Sequence, residues 1–377
     1  MDFDFHDDEQ AVADLARRII GDHATNERLK ALAARGAAYD AELWQALATA
    51  SLLGAAIPEA HGGAGLGFLA LGLLAREVGR GVAPLPIYPT LVLGALPLAQ
   101  FGSAAQRAHW LPEVARGARL LTAALVEPGS SDPLAPATAA APDGEGVRLS
   151  GVKSAVPYAA QASQVLVPAR TADGAIGLFW VAPDAAGVAL SAQHLPDGQP
   201  CAQLTLDRVH VAAAARLGAP EAGASMLHWI VQRAIVARCL MQLGAVERAL
   251  EMTAEYGRSR IQFDRPLGSF QAFHQRAADA YVHVEAMRLS AWEAAWRLAR
   301  DLPADAHVAV AKFWAAEGGQ SAAYACQHLH GGIGIDVDYP LHRHFLWAIQ
   351  LEHELGSAKH HLDALGRRIA ADGLPPE

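Results

Sequence analysis

Cysteine is scarce in this chain. The three present, Cys201, Cys239 and Cys326, stand far apart. They offer neither a disulfide framework nor a Cys-x-x-Cys pair. Basic runs are missing too, and the formal net charge is -9, which argues against a nucleic-acid-binding surface. An anionic small ligand is not excluded, because it needs only a local basic pocket. Apolar runs such as residues 68–75 fall well short of the ~20 residues that a membrane span requires. The opening MDFDFHDDEQ is acidic and polar, unlike a secretory or mitochondrial leader. These absences point to a cytoplasmic protein.

What is present describes a globular chain. Its 377 residues are 52% hydrophobic and 18% charged, enough for a substantial core in two or three domains. Residues 1–120 read as helical, with Asp7, Asp8 and Glu9 at the positive end of a first helix and 57–63 as a loop between helices. Residues 121–220 carry short Val/Leu-rich runs between Gly, Pro and Asp turns, the spacing of small antiparallel strands. Residues 221–377 return to helical periodicity. One apolar stripe is Ile235, Cys239, Leu243, Val246 and Leu250; another is Val282, Ala286, Leu289, Trp292 and Trp296. Helices in a row suggest an antiparallel bundle, so the class is α+β and mostly α. The glycine run at 61–67 neither follows a strand nor opens a βαβ unit, and reads as a loop.

Four motifs occur in a telling order. They are VEPGSSD at 126–132, LSGVK at 149–153, YGRSRIQFDRPLGSFQ at 256–271, and HGGIG at 330–334 followed by Tyr339-Pro340. Together they resemble the acyl-CoA dehydrogenase family over nearly the whole length. That resemblance implies a helical N-terminal domain, a middle β-domain and a C-terminal four-helix bundle. It also implies FAD between the β-domain and bundle, an acyl-CoA substrate, and an electron-transfer flavoprotein as acceptor. In the family, the positions of Arg260, Gln262 and Phe263 serve the flavin of a neighbouring subunit, so a homodimer or tetramer is implied at least. Each has a chemical reason: a forked cation for pyrophosphate, an amide donor, and an apolar face. Gly331 and Gly332 let backbone approach the same ligand, and His328 stands where glutamine is common.

The chain also departs from the family. Val126 replaces the threonine that bonds the flavin, and Ala155-Val156-Pro157 replaces its Trp-Ile-Thr. Backbone donors near Val126, Ala155 and Pro157, with the hydroxyls of Ser130 and Ser131, remain to hold the ring. The carboxylate that should abstract the α-proton falls at Leu355, between Glu354 and Gly356-Ser357, and the family's alternative base position is Gln232. Three explanations stand. Glu354 takes the role after a one-residue backbone shift. Or the chain is the base-less subunit of a heterotetramer with a catalytic paralogue, an arrangement that bacterial members acting on steroid side chains resemble. Or the scaffold runs flavin oxygenation, which needs no such base.

The resemblance further puts Arg233, Arg367 and Leu355 against the acyl-CoA. An intramolecular salt bridge is the alternative for Arg233, and a solvated face for Arg367. His342, His344, His353, His360 and His361 crowd the C-terminal segment without a matching ligand cluster, so no metal is expected.

Overall fold

The computed structural model describes residues 4–130 and 132–373. Helices α1 (Asp7–His23), α2 (Asn26–Ala34), α3 (Ala41–Thr49), α4 (Gly67–Arg80), α5 (Leu96–Phe101) and α6 (Ala104–Ala115) come first, with a π-helical stretch at Tyr88–Ala95. A sheet region follows: β1 (Leu121–Ala123), β2 (Ala139–Asp143), β3 (Gly146–Pro157), β4 (Gln164–Thr171), β5 (Ile176–Val181), β6 (Val188–Gln193) and β7 (Cys201–Val211). The chain then runs through α7 (Gly223–Ser259), the short strands β8 (Ile261–Gln262) and β9 (Arg265–Pro266), and α8 (Gln271–Ala299). It closes with α9 (Asp305–His330), α10 (Leu341–His353) and α11 (Ala358–Asp372). The order of helical region, central sheet and helical region is the one anticipated. Asp7, Asp8 and Glu9 do fall in the first turn of α1, where the helix dipole favours negative charge.

Two compact units emerge. One is Met1–Val12, Ala37–Leu71 and Pro84–Ala234; the other is Ala13–Gly36, Gly72–Ala83 and Ile235–Glu377.

The first unit holds the seven-stranded sheet, in the order β1-β4-β2-β3-β7-β6 with β5 also on β4. The strands are not all antiparallel as anticipated: β4 runs parallel to both β1 and β2. Neither pair is sequential: β2 and β3 separate β1 from β4, and β3 separates β2 from β4, so no hairpin fixes their relative direction. The remaining pairs are antiparallel. Leu149 of β3, Val165 and Val167 of β4 and Leu204 of β7 are fully buried in the core, and β4 is buried along most of its length. Burying each such side chain stabilises by roughly 1.5–3 kcal/mol.

The second unit is built on α7. Where α4 crosses α7, a Cβ on Gly79 would lie 2.0 Å from the Met241 carbonyl oxygen, and one on Gly244 would lie 2.0 Å from that of Arg76. Both positions must lack side chains for the backbones to meet. The close crossing aligns Arg76 with Glu247 at 2.6 Å and Arg80 with Glu251 at 2.5 Å, one turn apart on each helix. The first apolar stripe lies inside: Ile235, Cys239, Leu243 and Val246 are buried and Leu250 half-buried. The second does not. Val282 and Leu289 are 64% and 66% exposed, while α8 buries Ala280, Val284, Met287, Ala291, Ala294, Ala295 and Leu298 instead. Trp292 and Trp296 of that stripe are half-buried, and α8 packs extensively against α9.

Among the described residues, the segment Pro220–Ser259 has the length and mean hydropathy (1.2) to cross a membrane. It is 89% buried over that window, as a core helix is.

Candidate functional site

The residues singled out by sequence gather in three places. The first is the end of α10, in the second unit. The helix stops at Glu354, which is extended (φ -66°, ψ 135°), and Leu355 then turns left-handed at φ 56°. Four side chains make this turn. Lys312, fully buried on α9, donates from Nζ to the carbonyls of Leu351 (2.8 Å) and Glu352 (2.9 Å), capping α10. Gln320 donates to both carboxylate oxygens of Glu352 at 3.0 Å. His361 donates from Nε2 to the Leu355 carbonyl at 2.8 Å. Burial holds its pKa down at about 4, so the ring is neutral. Ser357 accepts the N–H of His360 at 3.4 Å and caps α11.

Glu354 is engaged on both oxygens. Its Oε2 lies 2.6 Å from Nε of the buried Arg238, and its Oε1 accepts from Gln350 at 2.9 Å. Leu355 itself is half-buried and carries no ionisable group. The Glu354 carboxylate thus meets a cation of its own chain.

The second place lies at the end of α7 and beyond α9. Strands β8 and β9 form a two-residue hairpin in which Gln262 pairs with Arg265. The turn residues Phe263 (φ 53°) and Asp264 (φ 63°) are both left-handed, as a type I′ turn requires. Arg260 and Gln262 are exposed, and Phe263 is 84% exposed. Among the described residues these side chains of Arg260 and Gln262 make no polar contact.

After α9, Gly331 adopts φ 64°, ψ -142°, a conformation essentially closed to other residues. A Cβ on Gly331 or Gly332 would meet nothing within 4 Å, so packing in this chain does not require either glycine. His330 sets the turn: its Nδ1–H donates to the Cys326 carbonyl (2.9 Å), which leaves Nε2 to accept from the Tyr339 hydroxyl (3.2 Å). Burial keeps the ring neutral, stacked 4.6 Å from Tyr256. His328 is exposed. Open backbone, a forked cation and an exposed aromatic ring fit the adenosine pyrophosphate portion of a flavin dinucleotide.

The third place is in the first unit, around β3. Val126 bridges to Ser154, whose N–H donates to the Val126 carbonyl at 2.9 Å. The N–H of Ala155, one donor anticipated for the flavin ring, instead donates to Gln193 Oε1 at 2.8 Å. Gln193 also donates to the Ser154 hydroxyl at 3.2 Å. The Pro157 carbonyl accepts from Thr122 at 2.8 Å. Ser131 lies outside the described residues. Beneath this loop, Lys153 and Glu127 pair at 2.6 Å in the core. Burial would raise the Glu127 pKa, but hydrogen bonds from Lys153, Thr138 and Ala137 outweigh it and hold it at about 2. Burial lowers Lys153 despite its partner. The Ala155 N–H is therefore engaged within the chain and is not offered to a flavin ring here.

Arg233, buried in the first unit, stacks 3.7 Å over the Trp229 ring and 5.9 Å from Phe68. Arg367 is exposed on α11, while its neighbour Arg368 pairs with Asp305 at 2.8 Å. The histidines go to backbone: His342, His344 and His353 bond the carbonyls of Tyr339, Ala245 and Ile349. Among the described residues no cluster could hold a metal.

Sequence reasoning missed Arg238, Lys312 and Gln193. Arg238 and Lys312 left one signal, each being a lone cation on an otherwise apolar helix face. Gln193 left none, since its reach to Ala155 depends on β6 lying at the sheet edge.

Family models for the acyl-CoA dehydrogenase N-terminal and C-terminal domains match residues 6–118 and 221–370. The acyl-CoA dehydrogenase FadE27 of Mycobacterium tuberculosis is 39% identical, the match covering 98% of this chain and 99% of that one. Among solved structures, one chain of the ChsE4–ChsE5 complex from Mycobacterium tuberculosis superposes with a TM-score of 0.92 at 39% identity, over all of both chains. A variant of the Tcur3481–Tcur3483 steroid ACAD gives 0.89 at 45% identity, covering 96% of this chain and 98% of the other. A glutaryl-CoA dehydrogenase from Mycobacterium smegmatis in complex with FADH2 gives 0.88 at 25% identity, covering 99% and 97%.

Proposed function

Because this chain belongs to the acyl-CoA dehydrogenase family, we propose that it is the base-less subunit of a heteromeric acyl-CoA dehydrogenase. In this reading Arg260, Gln262, Phe263 and the Gly331–Gly332 backbone hold the adenosine pyrophosphate of an FAD whose ring is held by a catalytic paralogue. The paralogue supplies the carboxylate base. FAD, when bound, supplies the two-electron acceptor for α,β-desaturation of an acyl-CoA thioester, and an electron-transfer flavoprotein takes the electrons onward. This chain's part is positioning: a guanidinium fork for the diphosphate, and an aromatic face that keeps water from it.

One observation carries the proposal. Leucine stands at the base position, and the adjacent Glu354 is held by Arg238 rather than left free to take a proton. The engagement of the Ala155 N–H by Gln193 points the same way. So does the likeness to chains whose structures are of two-component assemblies, one described as a steroid ACAD and the other as the ChsE4–ChsE5 complex.

The test is purification alone and with a co-expressed family neighbour, followed by anaerobic titration with acyl-CoA thioesters, including steroid side-chain ones. The chain alone should retain little flavin and show no bleaching. The complex should bleach, with flavin content following the copy number of the partner. Stoichiometric FAD and full bleaching in the lone chain would defeat the reading.

A further inference from the structure

A cavity of about 340 Å³ opens within the second unit, lined by residues from α1, α2, α4, α7 and α10. That size suits a small ligand. Arg17, Arg80, Arg248 and Arg343 line it, with one acidic residue, Glu77, and His344, beside the apolar Ile20, Leu29, Val82 and Met252.

Three of the four cations have partners. Arg17 holds both oxygens of Glu77 at 2.9 and 3.1 Å. Arg80 holds both oxygens of Glu251 at 2.7 and 2.5 Å. Arg248 reaches Glu251 at 3.1 Å and Glu255 at 3.2 Å. Arg343 differs. Among the described residues its side chain has no carboxylate and no hydrogen-bond acceptor, and its Nε is buried without a partner. Asn26, which lines the same cavity, leaves its Oδ1 buried and unbonded while its Nδ2 donates to the Asp338 carbonyl at 2.8 Å. The Asp338 carboxylate is taken by Lys30 at 2.6 Å, so it does not neutralise Arg343. Burial lowers the pKa of Arg343, with no opposing contribution from an anion. A half-buried guanidinium without a countercharge is costly, and an anion entering the cavity removes that cost.

We propose that this cavity binds a small anion, a phosphate or carboxylate head on a short body, with Arg343 as its principal partner. A forked guanidinium pairs with either head through two parallel hydrogen bonds. The four apolar residues suit a short carbon body. None of the cavity residues belongs to the Arg260–Phe263 hairpin or to the end of α10, so the assignment does not rest on the flavin reading.

The test uses the full-length chain in the assembly in which it purifies. Inorganic phosphate and sodium butyrate are titrated against sodium chloride at fixed ionic strength, following melting temperature and, for phosphate, the 31P linewidth. A saturable rise in melting temperature supports the site. A response to phosphate alone assigns a phosphate head, and one to butyrate alone a carboxylate. Arg343→Gln should remove the response. Arg343→Lys keeps the charge but loses the fork, and should weaken binding about tenfold; it carries the test if the Gln variant does not fold. No saturable response to either anion, or full-strength binding in Arg343→Gln or Arg343→Lys, overturns the assignment.

Discussion

Nε of Arg238 lies 2.6 Å from Oε2 of Glu354, tying the middle of α7 to the residue that ends α10. The arginine side chain is 6% exposed and the carboxylate 19%. A cation this buried requires a partner, and Glu354 is placed to be one.

Glu354→Gln should therefore act on stability. The amide keeps the shape but removes the charge opposite Arg238, and a loss of about 1–3 kcal/mol is expected by urea denaturation. Flavin bleaching by the assembled complex should persist. If bleaching disappears while the urea midpoint stays put, Glu354 is the base after all.

Leu355→Glu restores a carboxylate at the position where the family keeps its base. It should not create dehydrogenation in the lone chain, because Ala155 N–H still serves Gln193 and not a flavin ring. Anaerobic mixing with an acyl-CoA panel decides this. Bleaching by the variant alone would show that the missing carboxylate was the sole defect.

Removing Arg260 or Phe263 should leave the chain's own stability nearly untouched, within about 0.5 kcal/mol, since both are exposed. Flavin retention by the complex is where the effect should appear. Arg260→Ala and Phe263→Ala should each lower the flavin-to-protein absorbance ratio after gel filtration. A normal ratio in both would place the cofactor elsewhere.

Stability should fall with acid in two stages. His344 and His361 are held neutral by burial, at about 3 and about 4. The unfolded chain takes up those protons first, so stability present above pH ~6.5 declines as pH falls, down to about 4 for His361 and about 3 for His344. Glu127 adds a second decline from pH ~4.5 to ~2, on the order of 3 kcal/mol, as its depressed pKa is passed. Burial also lowers Lys153, against the raising effect of Glu127. Urea midpoints from pH 7 to 3 should show both stages. A stage above pH 5 unchanged in a His344→Asn, His361→Asn double variant would refute the first.

The layers were legible because periodicity and motif order are local signals. The stripe through Ile235, Cys239 and Leu243 went inside as its spacing implies. The stripe through Val282 and Leu289 did not, because a sequence shows that a helix has two faces but not which one its neighbours need. Glu354 was visible as the carboxylate next to Leu355. What it touches was not, because Arg238 is more than a hundred residues away and meets it only once the helices pack. The same holds for the parallel neighbours of β4, which are not adjacent to it in sequence.

The hairpin after α7 has one more consequence. Phe263 and Asp264 already hold left-handed backbone angles in the single chain, and Gln262 is already paired with Arg265. The entropy of shaping that arm is lost at folding, not at encounter. A partner would then meet a rigid finger rather than a searching loop. Changes at its tip should alter how long a complex lasts far more than how fast it forms.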